Sequence, residues 1–526
     1  MDSQKIKTLF IVVLAALFAV YIGVAAATSH LETIAWVVGA AAFIFVFALG
    51  KHIWTLIPIS LGLAGTLNIV PGSPPAYWGA MVVATAMMAL RFVMRTNELR
   101  YRFTWLDFAI LLQVLAIGQA WLRNPSGMAV FGGDTVGGKN NFIYLFAIVC
   151  YGIMSLVKTD LTIFKRVVLT TLGVAIMDGL LALAADRFPA VSFAVMPLYS
   201  GVNFVMDPGA LGSDAPADVS VVRFMGGMQL GKTLGIAVLT MFVPLSVLNP
   251  LKFWRFLMFA VAMTLILLSG FRSILGMLAI LFVVGSFIHG RVRDVVIAAL
   301  AAPLLLSLLI LSGQVPKLPF GAQRILSVLP IDVAAKARAD GEKSSDWRFD
   351  MWRRALFTDR YIHNKILGDG FGYSADEQRA AMDSVLGVAR SQQGVDIMMS
   401  RGSFHGFHVE CIRFTGIVGL ILALITMGIF ARTSWKLIQY YRNRPEWNYV
   451  LYLCVPFLIH PFYYMLVFGS YKNGFPLILV TAGMLKVLDN IRRDELAATA
   501  LVAPVSDMPE PRLPGGARGP LMARAR

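Results

Sequence analysis

The chain has 526 residues, of which 57% are apolar and only 14% are charged, and its mean hydropathy is +0.70. Soluble domains carry about 45–50% apolar and about 25% charged residues, so this composition excludes a set of ordinary soluble domains and predicts a polytopic membrane protein. The formal net charge is +16. The basic residues stand in short segments between apolar runs, which orients membrane spans and requires no nucleic-acid partner.

Apolar runs of about 20 residues predict an all-α fold with about fourteen transmembrane helices. In chain order these lie near residues 8–27, 32–50, 53–70, 77–95, 104–122, 142–157, 164–185, 231–248, 254–270, 272–289, 293–313, 407–431, 448–468 and 473–489. The chain therefore divides into eleven transmembrane helices in 1–313, a large helical loop in 314–406, three more transmembrane helices in 407–489 and a disordered tail in 490–526.

The charge of the loops predicts the orientation of these helices. Lys and Arg concentrate in every second loop, for example at Lys51, Arg100, Lys165 and Arg442. By the positive-inside rule that side is cytoplasmic and both termini lie there. The other loops, including the 314–406 loop, face outward, and a loop of this length is more often functional than incidental.

Cysteines and intramembrane ionisable residues give little direct indication of chemistry. The three cysteines show no CxxC or Cys/His spacing, so neither a disulfide framework nor a zinc site is expected. Asp178 and His460 lie inside predicted spans, where ionisable residues are functional candidates by default.

Two arginines stand out on the predicted outward side. Arg272, in Ser269-Gly-Phe-Arg, lies at the outer end of a predicted span; such a residue is either an interfacial anchor or an anion ligand. The segment Asp346-Trp-Arg348-Phe-Asp-Met-Trp352 predicts a helix with Asp346 near its N-cap. Arg348 and Trp352 share a face of that helix, as an ordinary solvated arginine over an aromatic ring also would.

The segment Ser403-Phe-His405-Gly-Phe-His408-Val-Glu410 directly precedes a predicted span. A neutral imidazole is the usual general base near pH 7, although a histidine at an interface also serves as a polar cap. The spacing is not HExxH and no third strong ligand is apparent, so no metal is expected.

The segment Gly226-Gly-Met-Gln-Leu-Gly231-Lys232-Thr233 fits the P-loop pattern GxxxxGK[ST]. An apolar span follows it on the side where ATP is not available, which argues against an ATPase. Glycine-rich backbone at a helix N-terminus with a lysine still favours phosphate, so Lys232 is a candidate phosphate ligand and Arg223 a secondary one. An interfacial lysine beside a flexible loop is the alternative.

In combination, these motifs resemble the bacterial O-antigen ligase and O-antigen polymerase superfamily over about residues 220–430. The resemblance consists of Arg272, the Arg348-x-x-x-Trp helix followed by Leu367-Gly-Asp-Gly-Phe-Gly, and His405 eleven residues before Gly416. The family commonly has His-Asn where this chain has His405-Gly406. It also often has an Asn-Pro-Asn segment that the 223–233 region lacks.

The resemblance implies metal-independent, inverting glycosyl transfer without a cofactor, as in a surface polysaccharide polymerase or O-antigen ligase. Arg272 and Arg348, with Lys232, would hold the diphosphate of a polyprenyl-diphosphate-linked glycan. His405 would be the base, with His408 and Glu410 as secondary candidates.

The other partners would be a glycan or glycolipid acceptor and the lipid bilayer, with the site facing the periplasm from a bacterial inner membrane. The alternatives are a flippase, or transporter, for lipid-linked oligosaccharides and a non-catalytic assembly scaffold.

Overall fold

A computed structural model describes residues 48–70, 72–94, 100–125, 138–201, 224–372, 383, 396, 398–400 and 402–502. Within these residues the regular elements are helices, and two isolated β-bridges join Thr66 to Pro75 and Leu67 to Tyr199. The predicted all-α fold is confirmed for this part of the chain. The predicted span at 8–27, most of that at 32–50, and the candidate Arg223 lie outside the described residues.

The α-helices are numbered here in chain order. They are α1 Leu56–Ser60, α2 Ala76–Val93, α3 Trp105–Arg123, α4 Lys139–Ser155, α5 Leu161–Arg187, α6 Pro189–Val195, α7 Met225–Met241, α8 Phe253–Ser269, α9 Arg272–Ile288, α10 Val292–Leu311, α11 Phe320–Leu326, α12 Ala335–Phe357, α13 Phe407–Tyr440, α14 Trp447–Leu466 and α15 Gly474–Val502. Short 3-10 helices cover Gly50–Thr55, Pro244–Leu248 and Val315–Lys317.

Seven helices of the described chain are long and apolar enough to cross a membrane, namely α2, α3, α5, α10, α13, α14 and α15. Two further apolar helices, α8 and α9, have 17 residues each, whereas a hydrocarbon core of about 30 Å requires about 20 helical residues. The protein is therefore a helical, membrane-embedded one. The count of about fourteen spans stays a prediction.

The helix ends have clear local causes. Thr104 and Asp107 form a capping box at the start of α3, and the side chain of Asp160 accepts a hydrogen bond from the backbone of Ile163 at the start of α5. Gly270 ends α8 with φ +72°, a left-handed conformation that glycine adopts without steric cost.

The glycine-rich P-loop pattern is part of a helix and forms no phosphate-binding loop. Helix α7 begins at Met225, so Lys232 lies about two turns inside it. A Cβ on Gly226 would lie 2.5 Å from the backbone of Ala182 in α5, and one on Gly231 would lie 2.9 Å from Ile266 in α8. These glycines let α7 pack closely against both neighbours, which corrects the expectation of a helix N-terminus beside Lys232.

The two sets of loops lie at opposite ends of the bundle. Near the start of α15, the Ser470 hydroxyl donates to the Glu410 carboxylate at 2.8 Å. About 30 Å further along the same helix, Asp494 pairs with Arg102 at 2.7 Å and Glu495 with Arg444 at 2.7 Å. We call these the outer end and the basic end; their assignment to periplasm and cytoplasm stays a prediction.

Several boundaries differ from the sequence-based ones. The predicted span near 53–70 is instead a 3-10 helix at Gly50–Thr55 followed by the five-residue helix α1. The predicted span near 231–248 is α7, which begins at Met225 and ends at Met241. Asp346 lies in the middle of α12 and not at its N-cap, because Ala335 and the helix-favouring residues after it extend the helix backwards to an N-cap at Ala334. Met351 and Ala355 are buried on its inner face. Helix α15 continues to Val502, so the first part of the predicted 490–526 tail is helical.

Candidate functional site

A cavity of about 1020 Å³ lies at the outer end of the bundle. Its walls come from α7, α9, α11, α12, α14 and α15, together with the residues just before α13 and the 467–470 loop. The described lining contains four cationic side chains and no carboxylate. The four cations are Lys232, Arg272, Arg324 and Arg348.

All four primary site residues of the sequence analysis line this cavity. Lys232 comes from α7, Arg272 from α9, Arg348 from α12, and His405 from the segment before α13. These residues are far apart in the sequence, so only the packing of the bundle joins them. Cationic groups that share a partly enclosed space favour an anionic ligand.

Arg272 is the first residue of α9, where the helix macrodipole is positive. Gly270 and Phe271 turn the chain between α8 and α9, so that Arg272, Ser273 and Ile274 all line the cavity. Unpaired N–H groups and a positive dipole make the first turn of a helix a favourable position for an anion.

Arg324 is a cavity residue that the sequence analysis missed. Its side chain is only 5% exposed, and its Nη1 donates to the backbone carbonyl of Gly270 at 2.6 Å. Helix α11 approaches this turn closely, because a Cβ on Gly321 would lie 2.4 Å from the Leu268 carbonyl. The available signal was a basic residue in an outward loop, which is too general to single out one residue.

His405 adopts a left-handed backbone conformation, with φ +49°, two residues before α13 begins at Phe407. Its ring centroid lies 5.5 Å from that of Trp347 and 6.2 Å from that of Phe468. The next residue must be small, since a Cβ on Gly406 would lie 2.7 Å from Nε1 of Trp352.

Of the secondary candidates, His408 and Glu410 lie in the described chain, and neither is among the residues that line the cavity. His408 packs edge-on against Trp352 with ring centroids 4.8 Å apart. Glu410 is buried and accepts hydrogen bonds from the Ser470 hydroxyl and the Tyr471 backbone, each at 2.8 Å. Glu410 is therefore connected to the cavity wall through Ser470, which lines the cavity.

A break in α13 fixes the position of its first turns. Gly416 has φ +77° and ψ −178°, so the helical hydrogen bonds stop there. The 365–370 segment of the outer loop replaces them: Ile417 and Val418 donate to the carbonyls of Lys365 and Ile366 at 2.9 and 3.2 Å. On the other side of the break, Asp369 and Gly370 donate to the carbonyls of Arg413 and Phe414 at 2.8 and 3.0 Å.

Side chains reinforce this junction. Arg413 and Asp369 form an ion pair at 3.2 Å in which the arginine is 2% exposed. Gln119 of α3 donates to the Leu367 carbonyl at 3.0 Å, and Asn124, the residue directly after α3, donates to the Asp369 carbonyl at 2.8 Å. The glycine-rich segment after α12 therefore has a structural role as a bridge across the broken helix.

Two polar pairs order the outer loop beside the site. The Tyr361 hydroxyl donates to the Asp396 carboxylate, and burial of the ring raises the pKa of Tyr361 to about 12, so the phenol stays protonated at neutral pH. On the surface, Lys365 donates to Asp359 at 2.6 Å and lowers the pKa of that carboxyl.

Comparisons with known proteins assign no family to this chain. No family model matches it, and a search of curated proteins finds no similar sequence. Within the described residues, no group of three or more His, Cys, Asp or Glu side chains could hold a metal ion.

Proposed function

We propose that this protein is a membrane glycosyltransferase that moves a glycan from a polyprenyl diphosphate to an acceptor sugar hydroxyl. The observation that carries the proposal is the convergence of Arg272, Arg348, Lys232 and His405 on one cavity at the outer end. Each residue alone has an ordinary structural explanation. Four separate segments of the chain bring these residues to one cavity, which supports the binding of a single anionic substrate there.

The arginines would bind and stabilise the diphosphate. A guanidinium group pairs with two phosphate oxygens at once, and the positive end of α9 adds a fixed dipole. When the bond between the anomeric carbon and the phosphate oxygen breaks, negative charge develops on that oxygen. Pre-positioned cations stabilise this charge without reorganisation, which lowers the barrier.

His405 would accept the proton of the acceptor hydroxyl. The oxygen of that hydroxyl attacks the anomeric carbon opposite the leaving diphosphate, so the anomeric configuration inverts. The products are the extended or transferred glycan, free polyprenyl diphosphate and a protonated imidazole that returns its proton to water. No metal or cofactor enters this scheme.

The proposed topology has about fourteen spans in a bacterial inner membrane, with the outer end in the periplasm.

A lipid-linked oligosaccharide flippase is the alternative function. Transporters commonly place broken helices around a midplane substrate site. Here both ends of the break in α13 bind the outer loop, and Gly416 does not line the cavity, so the alternative receives less support.

The deciding experiment uses the purified protein in lipid vesicles with a polyprenyl-diphosphate oligosaccharide and an acceptor glycan. We expect release of polyprenyl diphosphate together with a lengthened or transferred glycan. Arg353→Ala is a matched control, since Arg353 is an exposed residue of α12 that does not line the cavity. Movement of the intact donor across the membrane without cleavage would contradict the proposal and favour the flippase.

A further inference from the structure

The cavity has two polar levels along α14. Tyr463 lies beside Ser273 and Arg348. His460, three residues earlier, is close enough to Lys232 for their charges to interact. Three to four helical residues correspond to about one turn, or about 5 Å. Since α14 ends at Leu466 at the outer end, Lys232 and His460 form the inner level and the arginines the outer one.

The inner level is suited to an anionic group. The Lys232 side chain is exposed to the cavity, and it forms no ion pair with any residue in the described part of the chain. The Nδ1 atom of His460 is buried and has no hydrogen-bond partner there. An ammonium group and an imidazole that face one space can together bind phosphate oxygens.

Apolar side chains also line the cavity beside the polar groups of the inner level. Met228 lines the cavity one turn of α7 before Lys232, Leu477 and Ile478 line it from α15, and Pro456 lies one turn of α14 further in than His460. A chain of isoprene units is compatible with such a wall, whereas a hydrated glycan is not. The outer level instead adjoins His405 and the outer loop.

We propose that each of the two levels binds one of the two phosphates of the diphosphate. Lys232 and His460 bind the phosphate that carries the polyprenyl chain, and Arg272 and Arg348 bind the phosphate that carries the glycan. This division rests on the proposed function and adds an orientation, with the lipid inward and the anomeric carbon beside His405. Because the breaking bond lies on the outer phosphate, the inner level serves binding and the outer level serves both binding and turnover.

The test compares the binding of two lipids, polyprenyl monophosphate and polyprenyl diphosphate, to the full-length protein in lipid nanodiscs. The variants are Lys232→Met and Arg348→Ala, with Lys317→Met as the control because Lys317 is an exposed lysine outside the cavity. A lipid monophosphate carries only the inner phosphate. Lys232→Met should weaken its binding by about tenfold or more, and Arg348→Ala should leave it unchanged.

Lys232→Met and Arg348→Ala should both weaken binding of polyprenyl diphosphate. The control Lys317→Met should bind both lipids as the wild type does. With a glycosylated donor, Lys232→Met should raise KM and leave kcat nearly unchanged, whereas Arg348→Ala should lower kcat. His460→Gln, which retains an N–H donor, should weaken monophosphate binding less than Lys232→Met. It provides a second test of the inner level if Lys232→Met does not fold.

Monophosphate binding that depends on Arg348 and not on Lys232 would overturn the division of the diphosphate. Equal losses in the two variants would also overturn it. A wild-type protein that shows the expected binding pattern but never cleaves the donor would contradict the proposed glycosyl transfer instead. The two failures are therefore distinguishable.

Discussion

Gly368 of the outer loop and Gly416 of the broken helix α13 are in backbone contact. A Cβ on Gly368 would lie 2.5 Å from the Gly416 nitrogen, and one on Gly416 would lie 2.0 Å from the Ile366 carbonyl oxygen. Neither position therefore has space for a side chain. This contact holds the segment of the outer loop that follows α12 and Arg348 against the helix that begins two residues after His405.

Replacement of Gly416 by alanine should destabilise the protein. Its backbone conformation is essentially restricted to glycine and costs another residue about 1–3 kcal/mol, and the clash with Ile366 adds to that. We expect a lower apparent melting temperature in detergent and slower transfer. Gly428→Ala is the control, because Gly428 lies in the same helix with no atom within 4 Å of its Cβ position. Equal melting temperatures for both variants would contradict the close backbone contact between the outer loop and α13 at Gly416.

Cysteine labelling should place the outer end in the periplasm. The three native cysteines are buried, so single cysteines at Thr358 and Asn249 should dominate labelling by an impermeant thiol reagent. Thr358 is an exposed residue of the outer loop, and Asn249 an exposed residue between α7 and α8. In intact spheroplasts we expect Thr358→Cys to react and Asn249→Cys to react only after lysis. The opposite pattern would invert the topology.

Arg272→Ala and Arg348→Ala should each impair donor binding and turnover. Loss of a charge-assisted hydrogen bond costs about 1.5–3 kcal/mol, which corresponds to roughly 10–100-fold in affinity. Lysine should rescue poorly at both positions because it lacks the planar fork that engages two oxygens. The measurements are donor affinity and initial rate, with Arg353→Ala as the control. Near-normal turnover in both alanine variants would refute the diphosphate assignment.

His408→Ala should lose less activity than His405→Ala. His408 packs against Trp352, whose Nε1 donates to the Phe404 carbonyl at 2.8 Å, so it orients the segment that carries His405. We expect a loss well below the 10²–10⁴-fold that is typical of general-base catalysis, together with reduced thermal stability. If His408→Ala proved to be the inactive variant, the base would lie one helical turn further along the chain than proposed.

The apolar runs predicted the long helices of the described chain, although not the short elements that replace the predicted span near 53–70. Apolar runs of helical length leave few alternatives, and the start of α13 at Phe407 follows from the polar segment before it. The convergence of Lys232, Arg272, Arg348 and His405 was predicted only through a resemblance, since the spacing of residues in a sequence does not give distances between helices.

Features that depend on close packing could not be read from the sequence. Arg324 enters the site because α11 packs onto the turn at Gly270. The glycines of α7 resembled a P-loop, although their actual role is helix contact. In both cases the determining neighbour is distant in the chain, and a local pattern carries no information about it.

The most direct test of the central claim is the rate of polyprenyl diphosphate release by the wild-type protein and by His405→Ala. The assay uses the purified proteins in lipid vesicles, with a polyprenyl-diphosphate oligosaccharide and an acceptor glycan, and donor affinity is measured in parallel. The proposal predicts release by the wild type and a loss of at least about 10²-fold in His405→Ala, with donor affinity largely retained because the arginines carry the charge recognition. Absence of cleavage by the wild type, or equal rates for the two proteins, would contradict it.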